Sequence, residues 1–316
     1  MSQTPYKIVT ARYPLRYVGV AICLSIVVVV LESIFSNPNW GWAVFRQWFF
    51  DPAILHGLLI TLKLTFWSII GSLVFGTVVA MMRMSSSWFI RGLAWTYIWL
   101  FRSLPLLLVL IVLYNFSYLY EHISIGIPFS HVVFAQFKTI NALDQFTTAL
   151  LGLVVVQSAY TAEVIRGGIL SVNQGQFEAA DALGLSWWHR TRRIILPQSI
   201  RSIIPAIMNE CVGLSKGTSI VYVLAMPELF YTVQMIYNRN QEVIPLLMVA
   251  AVWYVIVTSI FSLIQWYIEK SLAKGERRAV IHETRSWFRK PVQVAMPQHA
   301  RTAYKDKSLV HTKLKL

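Results

Sequence analysis

The sequence predicts an all-α integral membrane protein with six membrane-spanning helices, because of its composition and its long apolar stretches. Hydrophobic residues make up 56% of the 316 residues and charged residues only 13%, whereas soluble domains carry about 25% charged residues. A bilayer core of about 30 Å requires roughly 20 apolar residues in a helix. The predicted spans are residues 17–35, 54–82, 93–118, 146–165, 203–225 and 245–268. This composition excludes a soluble enzyme with a large core.

The net charge of +14 comes largely from basic segments outside the predicted spans. Residues 1–16 and 273–316 both contain more Lys and Arg than Asp and Glu, and two arginines flank the short loop after the second span. Basic segments beside membrane spans remain in the cytoplasm under the positive-inside rule. We therefore expect both termini to be cytoplasmic, and we attribute the charge to membrane topology rather than to nucleic acid binding.

The regions before the second span and after the last one differ in composition. Residues 1–16 are polar and basic, and residues 17–35 form an extra transmembrane helix. A cleavable signal peptide is the alternative, but the bulky residues that follow offer no small-x-small cleavage site. Residues 36–54 are rich in Asn, Trp and Phe, which indicates an external interfacial segment. Residues 273–316 lack apolar periodicity, so we expect a disordered, basic cytoplasmic tail attracted to the membrane.

The second and third spans contain residues that govern helix packing and helix breaks. Gly57, Gly71 and Gly76 lie in the second span, where small residues permit close helix approach. Arg102 and Pro105 interrupt the third span and have structural or boundary roles. Two alternatives follow from this interruption: a break between an interfacial helix and the span, or a single kinked helix.

Ionisable residues at membrane depth are candidates for a polar path through the protein. The fifth span carries many polar groups, which cannot face lipid cheaply. Glu163, Glu210 and Lys216 are the candidates for the path, and Arg166 is a boundary anchor. Structural ion pairs are the alternative for all four residues.

Residues 178–197 form an amphipathic, basic segment between long apolar runs. Strong helix formers end at Gly184, which enters the left-handed conformation of a helix C-cap without steric cost. Ser186 is placed to cap a second helix that runs until about Pro197, because proline cannot continue a helical ladder beyond its first turn. The pattern predicts two short helices that meet at a glycine elbow and dock into a groove on another protein.

The elbow carries a sequence pattern of a known family. The pattern is E-A-A, three residues, Gly, nine residues and I-x-L-P, met by Glu178, Ala179, Ala180, Gly184, Ile194, Leu196 and Pro197. It resembles the cytoplasmic coupling loop, or EAA loop, of permease subunits in binding-protein-dependent ABC importers. The alternative to a coupling loop is an ordinary helical hairpin on the inner face of a membrane protein.

Other motifs resemble the polar amino acid class of these permeases. The segment AYTAEVIRGGIL around Glu163 is similar to A-Y-x-A-E-x-x-R-G, and FRSLPLLLVL partly matches F-R-G-T-P-L-L. Lys216-Gly217-Thr218-Ser219 replaces the usual Lys-Asp-Thr-Ser, so Lys216 lacks a possible carboxylate partner. The resemblance covers residues 55–272.

The resemblance implies a type I ABC importer permease fold, with a five-span core preceded by one extra helix. It implies import of polar amino acids across the bacterial inner membrane by alternating access. Residues 170–201 would form the coupling loop, in which Ala179 and Ala180 keep a flat docking surface and Glu178 binds a positive group. The implied partners are a cytoplasmic ABC ATPase dimer, a second permease subunit that is identical or paralogous, an external solute-binding protein and membrane lipid.

Two alternatives from other functional classes remain at this point. A stand-alone secondary transporter or channel would need a coupling-ion site and no ATPase. A membrane-embedded enzyme would need a catalytic constellation, and the sequence offers neither metal-ligand spacing nor a paired nucleophile and base. We therefore expect no enzyme activity and no cofactor or metal on this chain. We also expect no ATP hydrolysis, because the phosphate-binding motif GxxxxGK[ST] is missing. ATP and Mg²⁺ would bind to the partner ATPase.

Overall fold

The structure is a computed structural model that describes residues 7–10, 14–127, 133–273 and 293–296. The chain divides into two compact units, one formed by residues 1–37 with 277–316 and the other by residues 38–276. In the first unit, strand β1 (Lys7–Thr10) pairs antiparallel with strand β4 (Gln293–Met296). Helix α1 (Pro14–Ser36) follows β1 and includes the predicted first span. The expectation of a tail without structure is therefore wrong for β4, and the tail beyond Ala273 otherwise lies outside the described residues.

The second unit is built mainly from helices. Their bounds are α2 Trp42–Trp48, α3 Pro52–Arg83, α4 Trp88–Ser103, α5 Leu106–Tyr114, α6 Phe116–Leu119, α7 Thr139–Ala142, α8 Gln145–Leu170, α9 Gln174–Ala182, α10 Trp187–Arg190, α11 Leu196–Gly217, α12 Leu229–Asn240 and α13 Val243–Ala273. Strands β2 (His122–Gly126) and β3 (Val133–Lys138) form an antiparallel hairpin within the predicted loop between the third and fourth spans. The part of the fold that is long and apolar enough to cross a membrane is all α-helical. The strands among the described residues form two small two-stranded sheets.

Within the described residues, four helices are long and apolar enough to cross a membrane by themselves: α1, α3, α8 and α13. Two bent pairs pass the same test when each pair is taken together, which gives up to six spans. One pair is α4 with α5, and the other joins the segment 187–224 to α12.

The predicted interruption of the third span is a sharp corner. Helices α4 and α5 meet at 100° around Leu104 and Pro105. The structure therefore confirms a break and rejects a single kinked helix. Helix α5 has nine residues, or about 14 Å at 1.5 Å per residue, which is too short to cross a bilayer core. The Arg102 guanidinium lies 5.2 Å from the centre of the Tyr160 ring on α8 and so ties the end of α4 to that helix.

Helices α3 and α8 begin with the same capping device. The Asp51 carboxylate accepts a hydrogen bond of 2.8 Å from the Ala53 amide, and Pro52 occupies the first turn of α3. The Asp144 carboxylate accepts one of 2.8 Å from the Thr147 amide at the start of α8. These side chains satisfy amide groups that a helix start leaves without a backbone partner.

The hydroxyl groups buried on α3 are bonded mostly within that helix. Thr65 Oγ1 donates to the Thr61 carbonyl at 2.8 Å, and Ser72 Oγ donates to the Ile69 carbonyl at 3.0 Å. On the facing helix α8, Ser158 Oγ lies 2.9 Å from the carbonyl of Val155. Hydroxyls bonded to their own helix allow polar residues in a packed interior, although the fully buried Ser68 hydroxyl on α3 has no partner among the described residues.

Substitution of Gly76 by alanine should destabilise the contact between α3 and α8. A Cβ atom at position 76 would lie 2.9 Å from the carbonyl oxygen of Ser158 and 2.8 Å from Cβ of Thr161. Overpacking of this kind costs about 1–3 kcal/mol. Gly92→Ala is the matched control, because nothing lies within 4 Å of a Cβ at that position. A lower melting temperature in detergent for Gly76→Ala than for Gly92→Ala is expected, and equal melting temperatures would contradict the close approach.

Candidate functional site: the glycine elbow and the polar groups of the bundle

The predicted glycine elbow is present. Gly184 has φ of +64°, in the left-handed region. The Leu185 amide donates to the Ala180 carbonyl at 3.1 Å, and the Gly184 amide donates to the Asp181 carbonyl at 3.0 Å. This pair of bonds is the Schellman motif, which closes the C-terminus of α9 and turns the chain.

The second half of the elbow differs from the prediction. Ser186 precedes α10, but its hydroxyl makes no side-chain capping bond and instead lies 2.8 Å from Nδ1 of His189. The helix also does not end near Pro197. A π turn over Thr191–Ile195 leads directly into α11, where Pro197 occupies the first turn. A regular α turn would require an N–H at Pro197 and would crowd its ring. The wider π turn replaces the regular hydrogen bonds of an α-helix directly before Pro197 with bonds between residues five apart.

An ion pair that the sequence analysis did not predict connects the two arms of the elbow. Arg190 Nη1 binds the Asp181 carboxylate, and the Arg190 guanidinium lies 5.9 Å from the centre of the Phe177 ring. Two opposite charges on either side of Gly184 were the available signal. Because the side chain of Asp181 is more than half exposed, solvent screens the two charges and the pair contributes at most about 1 kcal/mol to stability.

The residues of the coupling motif divide into exposed and buried groups. Glu178 and Ala179 are exposed, and Glu178 makes no hydrogen bond or ion pair with any residue that the structure describes. Ala180 is 1% exposed, so its methyl group packs within the chain. Of the two alanines expected on the flat docking surface, only Ala179 is exposed on this subunit. The rest of the motif follows the elbow: Ile194 is half-buried, whereas Leu196 and Pro197 are exposed.

The candidate path residues occupy separate places in the bundle. Glu163 forms an ion pair with Arg166 on α8, with 2.7 Å between Oε2 and Nη2. Glu210 on α11 instead accepts a hydrogen bond of 2.7 Å from Nε2 of Gln157 on α8. Lys216 is exposed and has no side-chain partner among the described residues. Glu163 therefore forms a structural ion pair with Arg166, which was the alternative to a role in the path. The structure does not bring the three path candidates together.

Sequence reasoning also missed Glu228, which is fully buried before α12. Its Oε2 accepts a bond of 3.0 Å from the Tyr254 hydroxyl and lies 3.2 Å from Oγ1 of Thr61. Its Oε1 accepts a bond of 2.8 Å from the Tyr231 amide. This cluster joins α3, α12 and α13. The sequence signal was a lone acid directly after Pro227, just beyond the predicted end of the fifth span.

Comparisons with known proteins agree with this architecture. The sequence model of the family described as "binding-protein-dependent transport system inner membrane component" matches residues 72–274. The chain is 36% identical over 284 residues to the arginine transport system permease protein ArgU of Corynebacterium glutamicum, covering 87% of this chain and 86% of that relative. It is 32% identical over 222 residues to the glutamate/aspartate import permease protein GltK of Escherichia coli, covering 70% of this chain and 94% of that relative.

A solved structure supports the same conclusion. The chain is similar to one in a structure described as "Crystal structure of an amino acid ABC transporter with histidines", with a TM-score of 0.59 and 32% identity. The match covers 70% of this chain and 94% of the solved one. The elbow with its glycine turn, the long apolar helices, the family match and the relatives lead to one assignment. The chain belongs to the family of inner membrane components of binding-protein-dependent transport systems, as an ABC importer permease subunit.

Proposed function

We propose that this subunit carries polar amino acids across the bacterial inner membrane, with energy from a separate ATPase that docks on the elbow, here taken from the start of α9 to Pro197 (residues 174–197). The observation that carries the proposal is the pairing of an ordered glycine turn at Gly184 with an exposed, unpaired Glu178 on the same elbow. The turn fixes the direction of α9, and the free carboxylate offers a charge to a basic group on a partner.

The energy source lies outside this chain. The sequence has no phosphate-binding loop of the GxxxxGK[ST] form, so ATP and Mg²⁺ bind to the partner ATPase. The full transporter comprises an ATPase dimer, a second permease subunit that is identical or paralogous, and an external solute-binding protein. ATP drives alternating access because it favours one global state of the assembly over the other.

The substrate class is supported by the relatives and by the charges of the bundle. The two curated relatives described above are named for arginine and for glutamate or aspartate. Glu210, held by Gln157, and Lys216, without a described partner, place both signs of charge on α11, although the structure does not bring these two groups together. Glu163 lies beside Arg166, so its charge is largely balanced there.

The proposed topology places both termini in the cytoplasm. Residues 17–35 form the extra span, and residues 55–272 form the permease domain. Within that domain, the loop of residues 170–201 faces the ATPase.

Reconstitution of the whole transporter tests this function. The permease is purified with its ATPase and placed in liposomes, and uptake of radiolabelled L-arginine and L-glutamate is measured with and without ATP and the binding protein. Uptake of at least one of them that requires ATP, the ATPase and the binding protein is expected. Uptake by the permease alone, without ATP, would favour a stand-alone secondary transporter or channel instead.

A further inference from the structure

A cavity of about 750 Å³ lies between α3, α5 and the start of α8, apart from the elbow and from Glu163 and Glu210. Its volume falls in the usual range of small-molecule sites, roughly 300–1,000 Å³. Ile60, Phe146 and Met226 are among its apolar lining residues. Its polar lining groups come from His56, Lys63, Tyr114, Asp144 and Gln145.

Lys63 is the informative residue of this cavity. It lies 11 residues into α3, a helix of 32 residues, which is about 16 Å along the helix axis and inside the predicted second span of residues 54–82, and its side chain is exposed. Lys63 makes no ion pair and no side-chain hydrogen bond with any residue that the structure describes. An ammonium group facing lipid is costly, and intramembrane charges generally face a water-filled cavity or a ligand. Lys63 lines the cavity described above, which is open on one side.

A negative charge lies on another wall of the same cavity. Asp144 caps α8, and hydrogen bonding to Thr147, chiefly from its side chain, lowers the pKa of the carboxyl group, so that the group is ionised at neutral pH. An ionised carboxylate has several acceptor sites, so the capping bond leaves acceptor capacity for a ligand. The cavity thus has a cationic group on α3, an anionic group at the start of α8 and apolar surface between them.

We propose that this cavity binds a zwitterionic α-amino acid, with its carboxylate at Lys63 and its α-ammonium at Asp144. This inference rests on the proposed transport function and adds the place and the contacts of the substrate. Lys63 supplies a compact charge with three donors, which suits a carboxylate.

The test uses the purified permease–ATPase complex in nanodiscs, without the binding protein. Equilibrium binding of L-arginine is compared with that of L-argininamide, in which a neutral amide replaces the carboxylate. Lys63→Met should weaken L-arginine binding by about tenfold or more, the expected size for loss of a hydrogen bond to a charged group, and should leave L-argininamide binding unchanged. Lys63→Arg should restore L-arginine binding.

Two further variants make the test specific. Asp144→Asn keeps the helix cap, because Asn caps as well as Asp, and should weaken both ligands about equally, since both carry the α-ammonium. Lys138→Met removes an exposed lysine from β3, outside the lining of the cavity, and should change neither.

Each contrary outcome has a distinct meaning. Equal loss of both ligands in Lys63→Met would make Lys63 structural, and unchanged binding in that variant would remove it from the site; either result overturns the inference. Absence of binding to the wild-type complex, despite ATP-driven uptake, would also overturn it while leaving the proposed function intact. If the complete wild-type transporter imports no polar amino acid, the proposed function itself fails.

Discussion

Replacement of Gly184 by proline is expected to abolish transport driven by ATP while leaving the protein inserted in the membrane. Proline requires φ near −65°, whereas Gly184 has φ of +64°. The substitution also removes the amide that donates to the Asp181 carbonyl. The Schellman turn therefore cannot form, and the two arms of the elbow lose their fixed angle.

Transport and ATP turnover are measured together in the reconstituted assembly. Gly184→Pro should lose substrate-stimulated ATP turnover and uptake, and Glu178→Arg should do so through charge reversal at the exposed face. Gly184→Asn is the matched control, because asparagine tolerates the left-handed conformation and retains the amide. Normal substrate-stimulated turnover in Gly184→Pro would refute the assignment of residues 174–197 as the coupling elbow.

Truncation of Glu228 to alanine is expected to give a large loss of stability. It removes the cap on the Tyr231 amide and leaves the Tyr254 hydroxyl without its acceptor in the interior. A lost cap costs about 1 kcal/mol, and a buried polar group without a partner costs about 1–3 kcal/mol more. We therefore expect a total of about 2–4 kcal/mol.

Thermal unfolding of the purified protein in detergent measures this loss. Glu228→Gln should lose much less, since the amide oxygen still accepts hydrogen bonds. Glu242→Ala removes an exposed glutamate with no side-chain partner among the described residues, and should unfold at the wild-type temperature. A Glu228→Ala protein as stable as the wild type would show that the cluster does not hold α3, α12 and α13 together.

The long helices and the elbow were predictable because their signals are local. Helices α3, α8 and α13 each contain a long apolar run, and their bounds lie within a few residues of the predicted spans, except at the C-termini of α8 and α13, which extend about five residues further. Gly184 could be assigned to a helix C-cap because glycine adopts the required φ without strain.

Features that depend on distant parts of the chain were not predictable in this way. Pro105 indicates an interruption, but the 100° corner depends on how α4 and α5 pack against α8. The partners of Glu228 lie at positions 61 and 254, and hydrophobic periodicity carries no information about such pairings. Lys63 was missed because one charge hardly lowers the mean hydropathy of a 32-residue helix.

The hydroxyl groups between α3 and α8 have a consequence for motion within the bundle. Thr65, Ser72 and Ser158 each bond to a carbonyl of their own helix, and the Ser158 hydroxyl also lies 2.7 Å from the Tyr97 hydroxyl on α4. These bonds therefore persist when one helix slides along the other, and a shear displacement mainly exchanges van der Waals contacts between small side chains. A displacement of α3 along α8 therefore breaks none of these three hydrogen bonds, and shear between packed helices is a recognised means of opening and closing a protein.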